Sequence, residues 1–171
     1  MIDTMSAGPG SALSDAKAGS LQIAGSAVVL GAARLGEGSL VAHGAVIRSF
    51  GGGVEVGTGS AVIENCVVVG NPEMPATIGR RTVFGHRCLV IGASVGDLCE
   101  VGNASVLMPG ARLGDRVFLG EGTLVPPGME LPSGAVAVSR PARVVRRASD
   151  EDLRRLTALR DATFLSRRRP R

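Results

Sequence analysis

The chain has 171 residues, with 19 lysines and arginines against 15 aspartates and glutamates, 25 glycines, and neither tryptophan nor tyrosine. The length suits one domain, and no apolar run approaches the ~18 residues of a membrane-spanning helix. Arg167, Arg168, Arg169 and Arg171 account for the whole net charge of +4, because without them 15 basic residues face 15 acidic ones. A terminal run of this kind, without interleaved aromatics, reads as a solvated end and gives no nucleic-acid-binding face.

Residues 1–20 are small, polar and glycine-rich, with neither the basic start nor the apolar core of a secretory signal. They are expected to form a flexible lead-in, and the protein to be cytoplasmic and without membrane contact.

From Ile23 onward an apolar residue returns every six positions: Ile23, Val29, Leu35, Val41, Ile47, then Val56, Val62, Val68, then Ile78, Phe84, Val90, then Val95, Val101, Leu107, Leu113, Leu119, Val125. Four residues later the position is almost always small, as at Ala45, Ser60, Thr82 or Ser105. A period of six predicts an all-β solenoid, a left-handed parallel β-helix of hexapeptide repeats. Each hexad is one short strand, three hexads make a coil of ~18 residues, and coils stack ~4.8 Å apart. An ordinary β-sandwich would show alternation at period two. The expected prism spans residues 21–145. Val41, Val62, Phe84, Val101 and Leu119 should form one inward stack.

Cys66, Cys88 and Cys99 all occupy the small fourth position. They are expected to be buried core residues, with no metal or disulfide chemistry. Two insertions break the register, RSFGGGVE after Ile47 and VGNPEMPAT after Val68. Extra residues in a solenoid must leave as loops, where function often sits. Beyond the prism, Ser149 followed by Asp150, Glu151 and Asp152 predicts a capped helix within 146–166. Its apolar stripe is Leu153, Leu156 and Leu159, with Ala162 or Phe164 beyond. A basic tail, 167–171, follows.

These segments together resemble the γ-class carbonic anhydrase-like proteins of the hexapeptide-repeat superfamily. The resemblance rests on AVIRSFGGGVEVG, SAVIENCVVVGNPEMPATIG, TVFGHRCLVIG and SRPARVVRRASDEDL, in that order and spacing, over roughly residues 20–155. It implies a homotrimer with a catalytic zinc held between subunits by three histidines. Those positions fall on Val69, His86 and Ile91, so two of the three donors are missing and no metal or other cofactor is expected. Phe50 stands where the family has an aspartate, and Ile63 where it has a glutamine. Arg48 and Glu64 match a basic and an acidic residue that pair across the family's subunit interface.

The register also places His43, Glu64, His86, Asn103 and Glu121 on one polar ladder. Arg48, Val69, Ile91 and Met108 form the neighbouring column. The expected cleft sets Val69, Ile91 and Met108 of one subunit, with Phe50 nearby, against Glu64, His86 and Asn103 of another. Such a cleft is either a filled trimer interface or a small-molecule pocket in which His86, oriented by Glu64, acts as a general acid or base. The third possibility is a hexapeptide-repeat acyltransferase that uses acyl-CoA, with His43 or His86 as its base.

Overall fold

Every hexad folds as a strand of a few residues, and the strands lie on three flat faces. The structure is a computed structural model that describes residues 20–161. The lead-in, Ala162, Phe164 and the basic tail lie outside the described residues. The first face runs from Gln22–Ile23 through Leu40–Val41, Ala61–Val62, Val83–Phe84, Glu100–Val101 and Phe118–Leu119 to Ala135–Val138. The second holds Val28–Gly31, Val46–Ser49, Val67–Gly70, Leu89–Ile91, Val106–Leu107 and Leu124–Val125. The third holds Arg34–Leu35, Val54–Val56, Ala76–Ile78, Ser94–Val95, Arg112–Leu113 and Glu130–Leu131. All these strands pair in parallel with the coil above and below, giving a left-handed parallel β-helix of about six turns.

The inward columns follow the hexad register. Val41 pairs with Val62, Val62 with Phe84, Phe84 with Val101, and Val101 with Leu119. All five are buried. Fully burying such a side chain contributes roughly 1.5–3 kcal/mol relative to exposure, so the stacked interior carries most of the stability. The small residues sit beneath the corners and satisfy them. Thr82 Oγ1 donates to the Gly96 carbonyl (2.7 Å) and accepts the Cys99 N–H (3.0 Å). Cys66, Cys88 and Cys99 are free and buried. Their thiols donate to the carbonyls of Gly85, Gly102 and Gly114. Burial pushes Cys99 up to about 11, and the Cys66 thiol together with burial pushes Cys88 up. Cys88 and Cys99 are packing groups held protonated at neutral pH, whereas the hydrogen bond with the Cys88 side chain draws the Cys66 thiol below its ordinary value.

The two insertions leave the prism together, stacked on each other. A Cβ at Gly53 would lie 2.2 Å from Asn71 Cα, so only glycine permits this contact. Asn71 Oδ1 folds the second loop by accepting the N–H groups of Glu73 (3.0 Å) and Met74 (2.7 Å).

The three outer surfaces differ in chemistry. The third face presents Arg34, Glu55, Thr77, Ser94, Arg112 and Glu130, with ion pairs Arg34–Glu55 at 2.9 Å and Arg112–Glu130 at 3.8 Å. The second face presents aliphatics in two columns. One contains Val28, Val46, Val67 and Leu89, and the other contains Leu30, Val69 and Ile91 with Arg48 between.

The C-terminal end departs from the expected boundary at 145. Arg143–Arg147 folds back as an antiparallel strand on Ala135–Val138, a return that hexad counting does not reveal. The helix then runs Asp150–Arg160. Ser149 accepts the Asp152 N–H, and the Asp152 carboxylate accepts the Ser149 N–H, a reciprocal capping box. The Arg146 guanidinium and the Ser149 groups hold the Asp152 carboxyl well below the usual carboxylate range. Its folded pKa being depressed, the stability it lends is complete above the ordinary carboxylate pKa and is lost as pH falls below it.

The expected apolar stripe is only partly right. Leu156 is buried, but Leu159 is 57% exposed. Arg160 turns inward instead, 6% exposed, with Nη2 2.5 Å from Glu100 Oε2 and Nε donating to the Arg81 carbonyl at 3.2 Å.

Thr82→Val keeps the shape of this corner and removes both hydrogen bonds. Urea denaturation should show a loss of roughly 1–3 kcal/mol with an unchanged m-value. A neutral substitution would show that the corner hydroxyls are dispensable.

Candidate functional site

His86 stands at a corner where the first face turns into the second. The strand Val83–Phe84 ends just before it and Leu89–Ile91 begins just after. Gly85 precedes it for a steric reason: a Cβ there would sit 2.5 Å from Asn103 Oδ1. With only hydrogen at that position, Asn103 of the next coil closes in and accepts the His86 N–H at 2.7 Å. The His86 carbonyl accepts the Ala104 N–H at 2.8 Å. Backbone contacts from the coil above thus fix where the imidazole stands.

Glu64 lies one coil below, and its Oε2 is 3.0 Å from His86 Nδ1. The imidazole is 53% exposed and the carboxylate 44%. When Nδ1–H is donated to Glu64, Nε2 keeps its lone pair and points to a different partner. The ladder continues on both sides. Asn103 Nδ2 donates to Glu121 Oε1 at 2.9 Å. At the other end, Ser26 Oγ is 2.8 Å from His43 Nδ1, a contact that hexad spacing alone did not suggest. Asn103 therefore has both ends of its amide engaged within the ladder, which makes it a support for His86 in the isolated subunit.

The neighbouring column lies on the far side of the second face. Arg48 pairs with Val69 and Val69 with Ile91 in register. Met108 follows the strand Val106–Leu107 of the next coil and is half-buried, as are Val69 and Ile91. Ile91 lies five positions after His86 in the same coil, at most about 16 Å away along the chain at ~3.3 Å per residue. The two columns border the same face at opposite edges and do not meet inside one subunit.

Arg48 and Phe50 turn out to be partners of each other. The guanidinium carbon lies 5.1 Å from the ring centroid, a cation–π contact of about 0.5–1 kcal/mol at an exposed site. Arg48 makes no ion pair among the described residues, while Glu64 is engaged with His86. Phe50 opens a short 3₁₀ turn, Phe50–Gly52, and is half-exposed.

Zinc held by protein needs N, S or O donors at ~2.0–2.3 Å. Val69 and Ile91 have no such atom. Among the described residues no three His, Cys, Asp or Glu side chains come together to hold a metal ion.

No family model matches the chain. Individual relatives do. It is 39% identical over 134 residues to the Methanocaldococcus jannaschii protein described as "Probable carbonic anhydrase", with 78% of this chain and 84% of that protein covered. It is 30% identical over 137 residues to mitochondrial gamma carbonic anhydrase 1 of Arabidopsis thaliana, covering 77% of this chain. The chain spans about half the length of the Arabidopsis relatives it matches, 50% in this case and 49% for gamma carbonic anhydrase 2. Among solved structures, a hexapeptide transferase family protein from Anaplasma phagocytophilum superposes with a TM-score of 0.74 at 24% identity, covering 85% of this chain and 89% of that one. An N-acyltransferase from Bacillus cereus, solved with coenzyme A and a dTDP-amino sugar, superposes with a TM-score of 0.70 at 13% identity, covering 84% and 91%. At these identities the solved structures speak for the fold alone. The ordered segments around His86, the stacked insertion loops and the identity to the archaeal relative lead to one assignment: the chain belongs to the γ-class carbonic anhydrase-like family of hexapeptide-repeat proteins.

Proposed function

We propose that this chain is the subunit of a γ-class trimer that has lost the family's zinc site, and that it serves as an assembly protein without carbonic anhydrase activity. The observation that carries this reading is the paired column on the second face. The two register-matched positions that should bring donors to the metal, Val69 and Ile91, are aliphatic. Leu30 and the parallel column Val28, Val46, Val67 and Leu89 extend the same apolar surface. A surface of this kind gains by being covered, and the charged third face does not. Without three donors the residues do not fit a catalytic zinc, and no step is assigned to one.

In the trimer, the Val69, Ile91 and Met108 column of one subunit faces the Glu64–His86 pair of its neighbour, and Arg48 pairs with Glu64 across the boundary. His86 at 3.0 Å from Glu64 supports a second reading, a metal-independent acid/base site for a small, partly apolar substrate. There Nε2 takes a proton from the substrate or from water, and Glu64 holds the ring and balances the imidazolium. An alternative reading is acyl transfer from acyl-CoA with His43 or His86 as base, and the shared solenoid fold is compatible with it without selecting it.

Two measurements test these readings. Light scattering should report a homotrimer, and Arg48→Ala should shift it toward smaller species. Removal of one partner from a partly buried pair costs up to ~3–5 kcal/mol per site. A monomeric parent protein would refute the assembly.

Elemental analysis of the purified trimer should find no stoichiometric zinc, and no carbon dioxide hydration should accompany it. The Val69→His/Ile91→His variant should acquire zinc. One zinc per subunit in the parent would overturn the proposal. If turnover of any small substrate or acyl-CoA is detected, His86→Ala should lower it by roughly two to four decades while leaving the trimer intact. An unchanged rate would leave the cleft as an interface only.

A further inference from the structure

The charge of this chain is divided along its length. Residues 1–139 contain eight basic and eleven acidic residues, and residues 140–171 contain eleven basic and four acidic ones. The first 139 residues thus carry a net charge of −3 and the last 32 a net charge of +7, of which +4 belongs to the tail 167–171 and +3 to residues 140–161. Within the described part of that segment, Arg146 is engaged by Asp152 and Arg160 by Glu100. Arg143, Arg147, Arg154 and Arg155 are exposed and form no ion pair among the described residues.

Large apolar side chains are exposed beside these arginines. Val145 is 59% exposed on the return strand, with Val144 next to it, and Leu159 protrudes from the helix. Arg155 and Leu159 are one turn apart and share a row on the helix surface. The Arg146–Asp152 contact, with Nη1 2.5 Å from Oδ2, ties the strand to the first turn of the helix. The helix end is fixed to the prism through Arg160. Strand and helix are thus tied to each other and to the prism.

Against the expectation from the sequence of no membrane contact, we infer that this terminal segment is a docking surface for an anionic phospholipid bilayer. Its unpaired arginines complement the phosphates and acidic headgroups, and Val145 and Leu159 enter the apolar boundary beneath them. A nucleic acid would draw on the same arginines, but it offers nothing to exposed valine and leucine. The segment also has no aromatic among its described residues on which bases could stack. The inference does not rest on what occupies the cleft at His86.

The test uses the full-length protein and sedimentation with large unilamellar vesicles. Binding should appear with vesicles containing about a third phosphatidylglycerol, be absent with pure phosphatidylcholine, and weaken as salt shortens the screening length. Arg147→Ser/Arg154→Ser/Arg155→Ser should lower the partition coefficient roughly 100-fold, about fivefold per arginine. The matching triple lysine variant should retain binding, which separates lost charge from lost folding. Val145→Ser/Leu159→Ser should weaken binding at unchanged charge, at high salt as well as low. Failure of the parent protein to bind anionic vesicles at low salt overturns the inference. So does retention by the serine triple when binding is lost on deleting 167–171, which would place the attraction in the tail. Single-stranded RNA that binds more tightly than the vesicles, with no effect of Val145→Ser/Leu159→Ser, also overturns it in favour of a nucleic acid.

Discussion

The rest of this structure depends on the hydrogen bonding of each coil to the next in fixed register. The Leu89 N–H meets the Ser105 carbonyl at 2.9 Å, the Val106 N–H meets the Thr123 carbonyl at 2.8 Å, and the pattern continues along the solenoid. A coil has no other partner for these groups, and unpaired they would cost more than the fold can bear. Once the register is fixed, side chains a coil apart lie on top of one another. A column is therefore the unit of environment: apolar inside, small at the corners, and free to vary outside. Corner backbone is fixed from two sides, which is why several corners are left-handed without being glycine, Arg87 at φ 61° and Ala104 at φ 56° among them. Their N–H groups reach carbonyls of the preceding coil, Glu64 and His86 respectively, and these bonds offset the strain of ~1–2 kcal/mol. His86 inherits its placement from this rigidity.

Whatever repeats in the sequence could be read from it. The stack of Val41, Val62, Phe84, Val101 and Leu119, the burial of the three cysteines, the nearness of Glu64 to His86 and the alignment of Val69 with Ile91 all follow from counting in sixes. Features that do not repeat were hidden. The hairpin return at Arg143–Arg147 has no periodic signature. The helix stripe predicted Leu159 inward, but the groove it meets at Glu100 and the Arg81 carbonyl is polar, and Arg160 fits it better. Asn103 is expected in the cleft because its column is outward. Its use as a support for the His86 backbone depends on how closely two coils approach at Gly85, and spacing alone does not reveal that distance.

In the proposed trimer, the difference between faces would divide the candidate site between two subunits. Alternating ion pairs on the third face suit water. The aliphatic columns of the second face suit a neighbour, and His86 and Ile91 border that face from opposite edges. Chemistry at such a boundary depends on two columns that can change independently, since neither shapes the interior. The aliphatic column at Val69 and Ile91 and the polar ladder at Glu64 and His86 are thus separable features of one scaffold.

Arg160 has a further effect on how the prism melts. A stack in which each coil touches only its neighbours behaves as a one-dimensional chain and can fray from either end. The guanidinium of Arg160 reaches Glu100 and the carbonyls of Arg81 and Cys99, some sixty to eighty positions earlier in the sequence. It joins the last helix to the middle of the solenoid. The coils between Arg81 and the helix are closed into a loop, so the C-terminal coils cannot peel away one by one while that clasp holds. Opening there must release a block, and a ladder that would otherwise unzip gradually acquires the all-or-none character of a globular domain.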